Sequence, residues 1–119
     1  MTLPLESGQV WLANLNPGRG AEPGKVRPVL IVQNQALLDA QHPSTLVIPL
    51  TTNLVPDAEP LRVRVPARDR LDRDSDLLID QLRAVDNRRL MGQGPLTRLT
   101  EASLRRVHQA LAEVLGIEW

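Results

Sequence analysis

The sequence predicts a mainly β fold: a small, partly open antiparallel barrel with one helix at its carboxyl end. Three observations predict it. Short apolar runs bounded by Gly, Pro, Asn and Asp recur from Gly8 to Leu96, at the spacing of an all-β domain. Only the segment after Thr100 places its apolar residues at helical spacing. With 119 residues, 42% hydrophobic and 24% charged, the chain reads as a single domain over 1–119, long enough for a core without cross-links.

Gly8–Leu15 (GQVWLANL) alternates Val10, Leu12 and Asn14 with Trp11, Ala13 and Leu15 and predicts a first strand, with Trp11 in the core. Asn16–Gly24 (NPGRGAEPG) holds three glycines and two prolines, so it predicts a loop longer than a tight hairpin needs. Lys25–Asn34 (KVRPVLIVQN) is nearly continuous in apolar, β-branched residues, the pattern of a strand buried on both faces. Pro28 lacks a ladder donor and belongs near that strand's start. Gln35–Ala40 reads as a helical turn and Gln41–Ser44 as a connector. Thr45–Leu50 (TLVIPL) predicts another strand, in which Pro49 marks an edge or a bulge.

Leu54–Pro60 predicts a loop, and Arg62–Val65 (RVRV) a half-exposed strand. Pro66–Asp76 mixes Arg and Asp and reads as a solvated excursion. Leu77–Leu82 predicts a core strand whose Asp80 must be hydrogen-bonded, at the rim, or functional. Ala84–Leu90 reads as a short turn and Met91–Leu96 as a last strand. Thr100 is a good N-cap, Leu104, Val107, Leu111, Val114 and Leu115 form one apolar face, and Gly116 is the stop.

Several function classes fall away. The chain has no cysteine, which removes disulfides and thiolate chemistry. His42 and His108 show no metal-ligand spacing. No signal peptide or membrane span is evident, and a cytoplasmic protein with no membrane association is expected; no cofactor is expected either. Net charge is zero, from 14 basic and 14 acidic residues, yet Lys25 is the only lysine. Arginine is the residue suited to bidentate phosphate contacts. Arg27 stands where a glycine-rich loop meets a stiff strand, a placement suited to holding a phosphate. Taken locally, the default for such an arginine is an ordinary surface ion pair.

Beyond these patterns, the stretch GQVWLANLNPGRGAEPGKVRPVLIVQN resembles the amino-terminal signature of the MazF/PemK toxins of bacterial toxin–antitoxin systems, with Gly20, Glu22, Arg27, Pro28 and Asn34 matching. Downstream, PLTTN resembles the family's strand ending in threonine, and IDQLRAVD its aspartate–glutamine element. Three blocks in the same order over roughly residues 8–90 make the resemblance specific. It implies an SH3-like, CcdB/PemK-like barrel, a homodimer, and metal-independent cleavage of single-stranded RNA to a 2′,3′-cyclic phosphate and a 5′-hydroxyl. It implies a cognate MazE-like antitoxin as partner. By matching position, Arg27, Thr51 and Asp80 become the catalytic candidates. Arg19, Gly20, Glu22 and Gln81 become the substrate-binding ones. Two departures stand out: Asn14 where the family commonly has aspartate, and Leu78 where some members have arginine. A CcdB-like gyrase poison and an inactive antitoxin-binding module are the alternatives on the same fold.

The chemistry implied requires a proton acceptor, phosphorane stabilisation and a proton for the leaving 5′-oxygen. Arg27 suits the second task, and Thr51 offers a hydroxyl to the same phosphate. Arginine is a poor base at neutral pH, which leaves Asp80, Glu22 and His42, in that order. With no Phe or Tyr, base recognition falls to arginine planes, backbone groups and polar side chains.

Overall fold

The computed structural model describes residues 4–22 and 24–118. Seven strands form among them: β1 (Gln9–Asn14), β2 (Val26–Ile31), β3 (Ser44–Thr51), β4 (Arg62–Val65), β5 (Ser75–Leu78), β6 (Arg83–Asp86) and β7 (Thr97–Arg98). Two helices accompany them, α1 (Gln35–Asp39) and α2 (Glu101–Leu115). The sheet runs β4-β5-β3-β2-β1-β7, with β6 also on β3, and the recorded pairings are antiparallel.

β3 is the hinge of this sheet. Its first half pairs with β6, from Ser44↔Asp86 to Val47↔Arg83, and its end pairs with β5, at Leu50↔Leu77 and Thr51↔Asp76. Pro49 falls between the two partners. The Val32 amide donates to the Leu46 carbonyl, so even-numbered residues of β3 bond to β2 and odd-numbered ones face the other edge. Pro49 therefore lacks a donor only where β3 changes partner, and the sheet curls there without losing a ladder bond.

Both faces of the sheet are buried near its centre. Val10, Leu30, Ile48, Leu50, Val63, Val65 and Leu77 point inward against Val107 and Ala110 of α2. Trp11, Ala13, Leu15, Val29, Ile31, Val47 and Val85 form a second cluster on the outer face, with Leu5, Leu38 and Leu90 packed on it. This double cover is why β2 reads as a continuous apolar run rather than an alternating one. Trp11 is 2% exposed, and its indole N–H donates to Gln9 Oε1 at 2.9 Å.

Helix α2 follows its sequence signals closely. The Thr100 hydroxyl accepts from the Ser103 amide, and Gly116 takes the left-handed conformation at φ 72°. Its buried residues are Val107, Ala110 and Ala112, with Leu104, Leu111 and Val114 half-buried. Leu115, expected on the apolar face, is instead exposed, because it lies in the last turn beyond the sheet.

Five expectations give way to the tertiary fold. Asn34 is not strand but the N-cap of α1, accepting from the Ala36 amide at 2.8 Å. The strand expected over Leu77–Leu82 lies two residues earlier, and Ile79–Gln81, with Asp80, form a 3-10 turn. The supposedly solvated excursion over 66–76 ends in buried Ser75 and Asp76, and its Leu71 joins the core. Residues 83–86 are a strand rather than a turn, because β3 offers them a free edge. The last strand falls at Thr97–Arg98, after the expected Met91–Leu96.

Candidate functional site

Arg27 sits near the start of β2, half-buried, with Ala13 of β1 beside it. Its guanidinium is held by backbone carbonyls. Nε donates to Gly24 O at 3.0 Å, and Nη1 to Leu50 O at 3.3 Å. The second contact has a cause in the sequence. The bonding pattern set by Val32 and Leu46 would give Leu50 O the amide of residue 28. That residue is Pro28, which has no N–H, so Arg27 fills the vacancy. Among the described residues no carboxylate pairs with Arg27, so the ordinary ion pair expected from local sequence is absent. Burial lowers the Arg27 pKa from its ordinary value, but an arginine so placed remains a cation at neutral pH.

Thr51 closes β3. The β2–β3 register runs Ile31↔Val47, Leu30↔Ile48 and Val29↔Pro49, and two further steps set Arg27 across from Thr51. Thr51 in turn pairs with Asp76, and Asp76 with Arg64. One transverse row of the sheet thus carries Arg27, Thr51, Asp76 and Arg64. Their chain neighbours Leu50, Leu77, Val63 and Val65 face the inner core, so the row lies on the outer face. Facing side chains on neighbouring strands stand about 5 Å apart at Cβ, close enough for Arg27 and Thr51 to share a phosphate.

The loop before β2 is drawn tight at its neck. A Cβ on Gly24 would stand 2.7 Å from the Gly18 amide nitrogen, and one on Gly18 would stand 2.8 Å from that of Gly24, so both must be glycine. Asn16 Oδ1 accepts from the Lys25 amide at 2.7 Å, and Arg89 Nη1 donates to the carbonyls of Asn14 and Asn16 at 3.0 and 2.8 Å. Asn14 Oδ1 accepts from the Asn16 amide at 3.0 Å, a local task its side chain performs without a negative charge. Arg19, Gly20 and Glu22 form the exposed tip, where the Glu22 amide donates to Arg19 O at 2.8 Å.

Asp80 and Gln81 lie elsewhere on the sheet. They are four and five residues beyond Asp76, on the turn after β5, with Asp80 exposed and Gln81 half-buried. Within one chain the Arg27 guanidinium reaches the Leu50 carbonyl beside Thr51 and the Gly24 carbonyl at the neck of the loop, and the turn carrying Asp80 and Gln81 falls between the two strands that pair with β3. His42 is exposed in its connector. Leu78, half-buried on β5, pairs with Arg62.

Sequence patterning does not single out Asp76, which is 1% exposed. Its Oδ1 accepts from Arg64 Nε at 2.5 Å, and its Oδ2 from Arg62 Nη1 at 3.2 Å and the Val55 amide at 2.9 Å. Burial pushes this carboxyl up. The Val55 amide and the Arg64 and Arg62 guanidiniums outweigh that and hold it below the ordinary value. Two arginines on one face of RVRV are the signal that points to an anion on the next strand.

A curled antiparallel sheet with one carboxyl-terminal helix is a fold that this chain shares with solved structures. MazF of Deinococcus radiodurans superposes with a TM-score of 0.79 over 97% of this chain and 99% of that one, at 25% identity. A mycobacterial endoribonuclease solved in complex with its cognate antitoxin shares the fold, with a TM-score of 0.74 over 98% and 97% of the two chains at 24% identity. In sequence, endoribonuclease MazF of Staphylococcus epidermidis is 35% identical over 114 residues, 95% of this chain and 92% of that protein. Residues 6–115 match the model of the PemK-like, MazF-like toxins of type II toxin–antitoxin systems. The chain belongs to that family.

Proposed function

We propose that this chain is the toxin of a type II toxin–antitoxin pair and acts as an endoribonuclease on single-stranded RNA, including mRNA. The observation that supports the reading is the Arg27 guanidinium bonded at 3.3 Å to the Leu50 carbonyl, next to Thr51, at the end of β3 where the β2–β3 register, continued two steps, would set the two residues opposite each other. A phosphodiester laid over Arg27 and Thr51 meets a fixed cation and a hydroxyl at once. The 2′-hydroxyl of the preceding nucleotide gives up its proton and attacks the phosphorus, and the 5′-oxygen of the next leaves and takes a proton from water. The products are a 2′,3′-cyclic phosphate and a 5′-hydroxyl. Arg27 balances the charge that grows on the phosphoryl oxygens, and Thr51 donates to one of them.

Asp80 is the first candidate for the proton acceptor. In a homodimer a partner's copy of this turn could complete the groove. Gln81 reads a base edge nearby, and Arg19, Gly20 and Glu22 close over the strand from the loop tip. A MazE-like antitoxin, with an acidic segment lying where RNA phosphates lie, is the expected inhibitor. No described helix is long and apolar enough to cross a membrane, and the proposed site of action is the cytoplasm. The chemistry uses neither metal nor cofactor.

The deciding experiment maps the ends of single-stranded RNA incubated with the purified chain in EDTA. Cyclic phosphate and 5′-hydroxyl ends at a defined sequence support the reading. Intact RNA overturns it, and gyrase inhibition in the same preparation would mark the chain as a poison of the CcdB kind.

A further inference from the structure

We propose that Asp76, together with Arg62, is a positioning residue for RNA cleavage: it fixes the segment after Thr51 and thereby aims the Thr51 hydroxyl. The inference rests on the proposed function, in which that hydroxyl meets the scissile phosphate.

Thr51 Oγ1 accepts from the Asn53 amide at 3.1 Å. That bond uses an oxygen lone pair and leaves the hydroxyl hydrogen available to donate elsewhere. The Asn53 carbonyl accepts from Arg62 Nη1 at 2.7 Å, and the same Nη1 reaches Asp76 Oδ2 at 3.2 Å. Asp76 Oδ2 also accepts from the Val55 amide at 2.9 Å. The bonds form a closed circuit: Thr51 to Asn53, to Arg62, to Asp76, to Val55, and back along the chain. Arg64 stands outside it, since its Nε meets only Oδ1.

A purely structural ion pair would need Arg64 alone. What the second oxygen adds is a grip on the backbone beside Thr51, made by an acceptor almost sealed from water, where charge-assisted bonds are strong and directional. Small displacements of a positioned group cost rate steeply, on the order of 10²-fold for about 1 Å.

The test compares Asp76→Asn, Arg62→Gln, Arg64→Gln and Arg27→Ala in the full chain. Asp76→Asn keeps the shape but puts an N–H₂ group against the Val55 amide or a guanidinium, donor facing donor. For Asp76→Asn and Arg62→Gln the expected result is a fall in kcat of about 10- to 100-fold with KM within about twofold. Arg64→Gln lowers Tm comparably yet keeps kcat within about twofold. Amide exchange at Val55 speeds up in Asp76→Asn whether or not RNA is present. A folded Asp76→Asn protein with parental kcat, parental Val55 exchange, or an Arg64→Gln loss in kcat equal to that of Arg62→Gln overturns the positioning role. If Arg27→Ala cuts as fast as the parent, the proposed function fails instead, and Val55 exchange still decides whether Asp76 holds the segment.

Discussion

At the scale of single residues, the proposed chemistry turns on two side chains and on how little freedom they keep. Arg27 is tied by Nε and Nη1 to two carbonyls, so its fork is set before any phosphate arrives. Replacing it by Ala removes a transition-state donor and should lower single-turnover RNA cleavage by about 10²–10³-fold. At Thr51, Ser keeps the hydroxyl and should retain most activity, while Val keeps the shape and should lose it. Equal rates for the two proteins would assign Thr51 to packing. Asp76 carries the residue-scale pH dependence. Its folded pKa lies below the ordinary 3.8, so its contribution to stability is complete above that value and is lost as pH falls through the lowered one. Urea midpoints measured from pH 7 downward should fall more steeply below about pH 4 for the parent than for Asp76→Asn.

Elements carry a different set of expectations. The loop between β1 and β2 depends on Gly18 and Gly24 touching backbone to backbone. Gly24→Ala must push that neck open and disturb the carbonyl that holds Arg27 Nε. Slower RNA cleavage together with faster tryptic cutting after exposed Arg19 is the expected pair of results. Helix α2 offers a test of stability alone: Thr100→Ala removes the cap on the Ser103 amide and should cost about 0.5–2 kcal/mol by urea denaturation, with the cleavage rate unchanged. The two elements separate function from folding because α2 packs against the inner face and the Arg27 row lies on the outer one.

The whole molecule has zero net charge, with its cations almost all arginine. Binding therefore rests on a few placed guanidiniums rather than on a broad basic field, and RNA affinity should depend weakly on salt. With roughly 0.7 per neutralised phosphate on a single strand, a log–log slope between about −1 and −3 is expected. A much steeper slope would mean that many other cations join the contact. Sedimentation should give twice the 13.2 kDa of one chain if the groove is completed across a homodimer. A strictly monomeric, active protein would remove the partner's Asp80 from the mechanism.

What the sequence determined by itself is local. The ordered blocks around Arg27, PLTTN and IDQLRAVD place the chain in its family, the alternation in GQVWLANL and RVRV marks two strands, and Thr100 and Gly116 bound the helix. Each of these depends on spacing within a few residues, which a linear chain displays directly. Only the tertiary structure decided the rest. Asp76 looks like one more charge in a solvated run until β4 and β3 close on it from both sides. Residues 83–86 become a strand only because β3 changes partner at Pro49 and leaves an edge for them. Asp80 lies on a 3-10 turn rather than in a strand because the strand before it begins two residues earlier than its apolar run suggests. In every such case the deciding partner is distant along the chain, and pairing register between distant strands is set by the packed sheet as a whole.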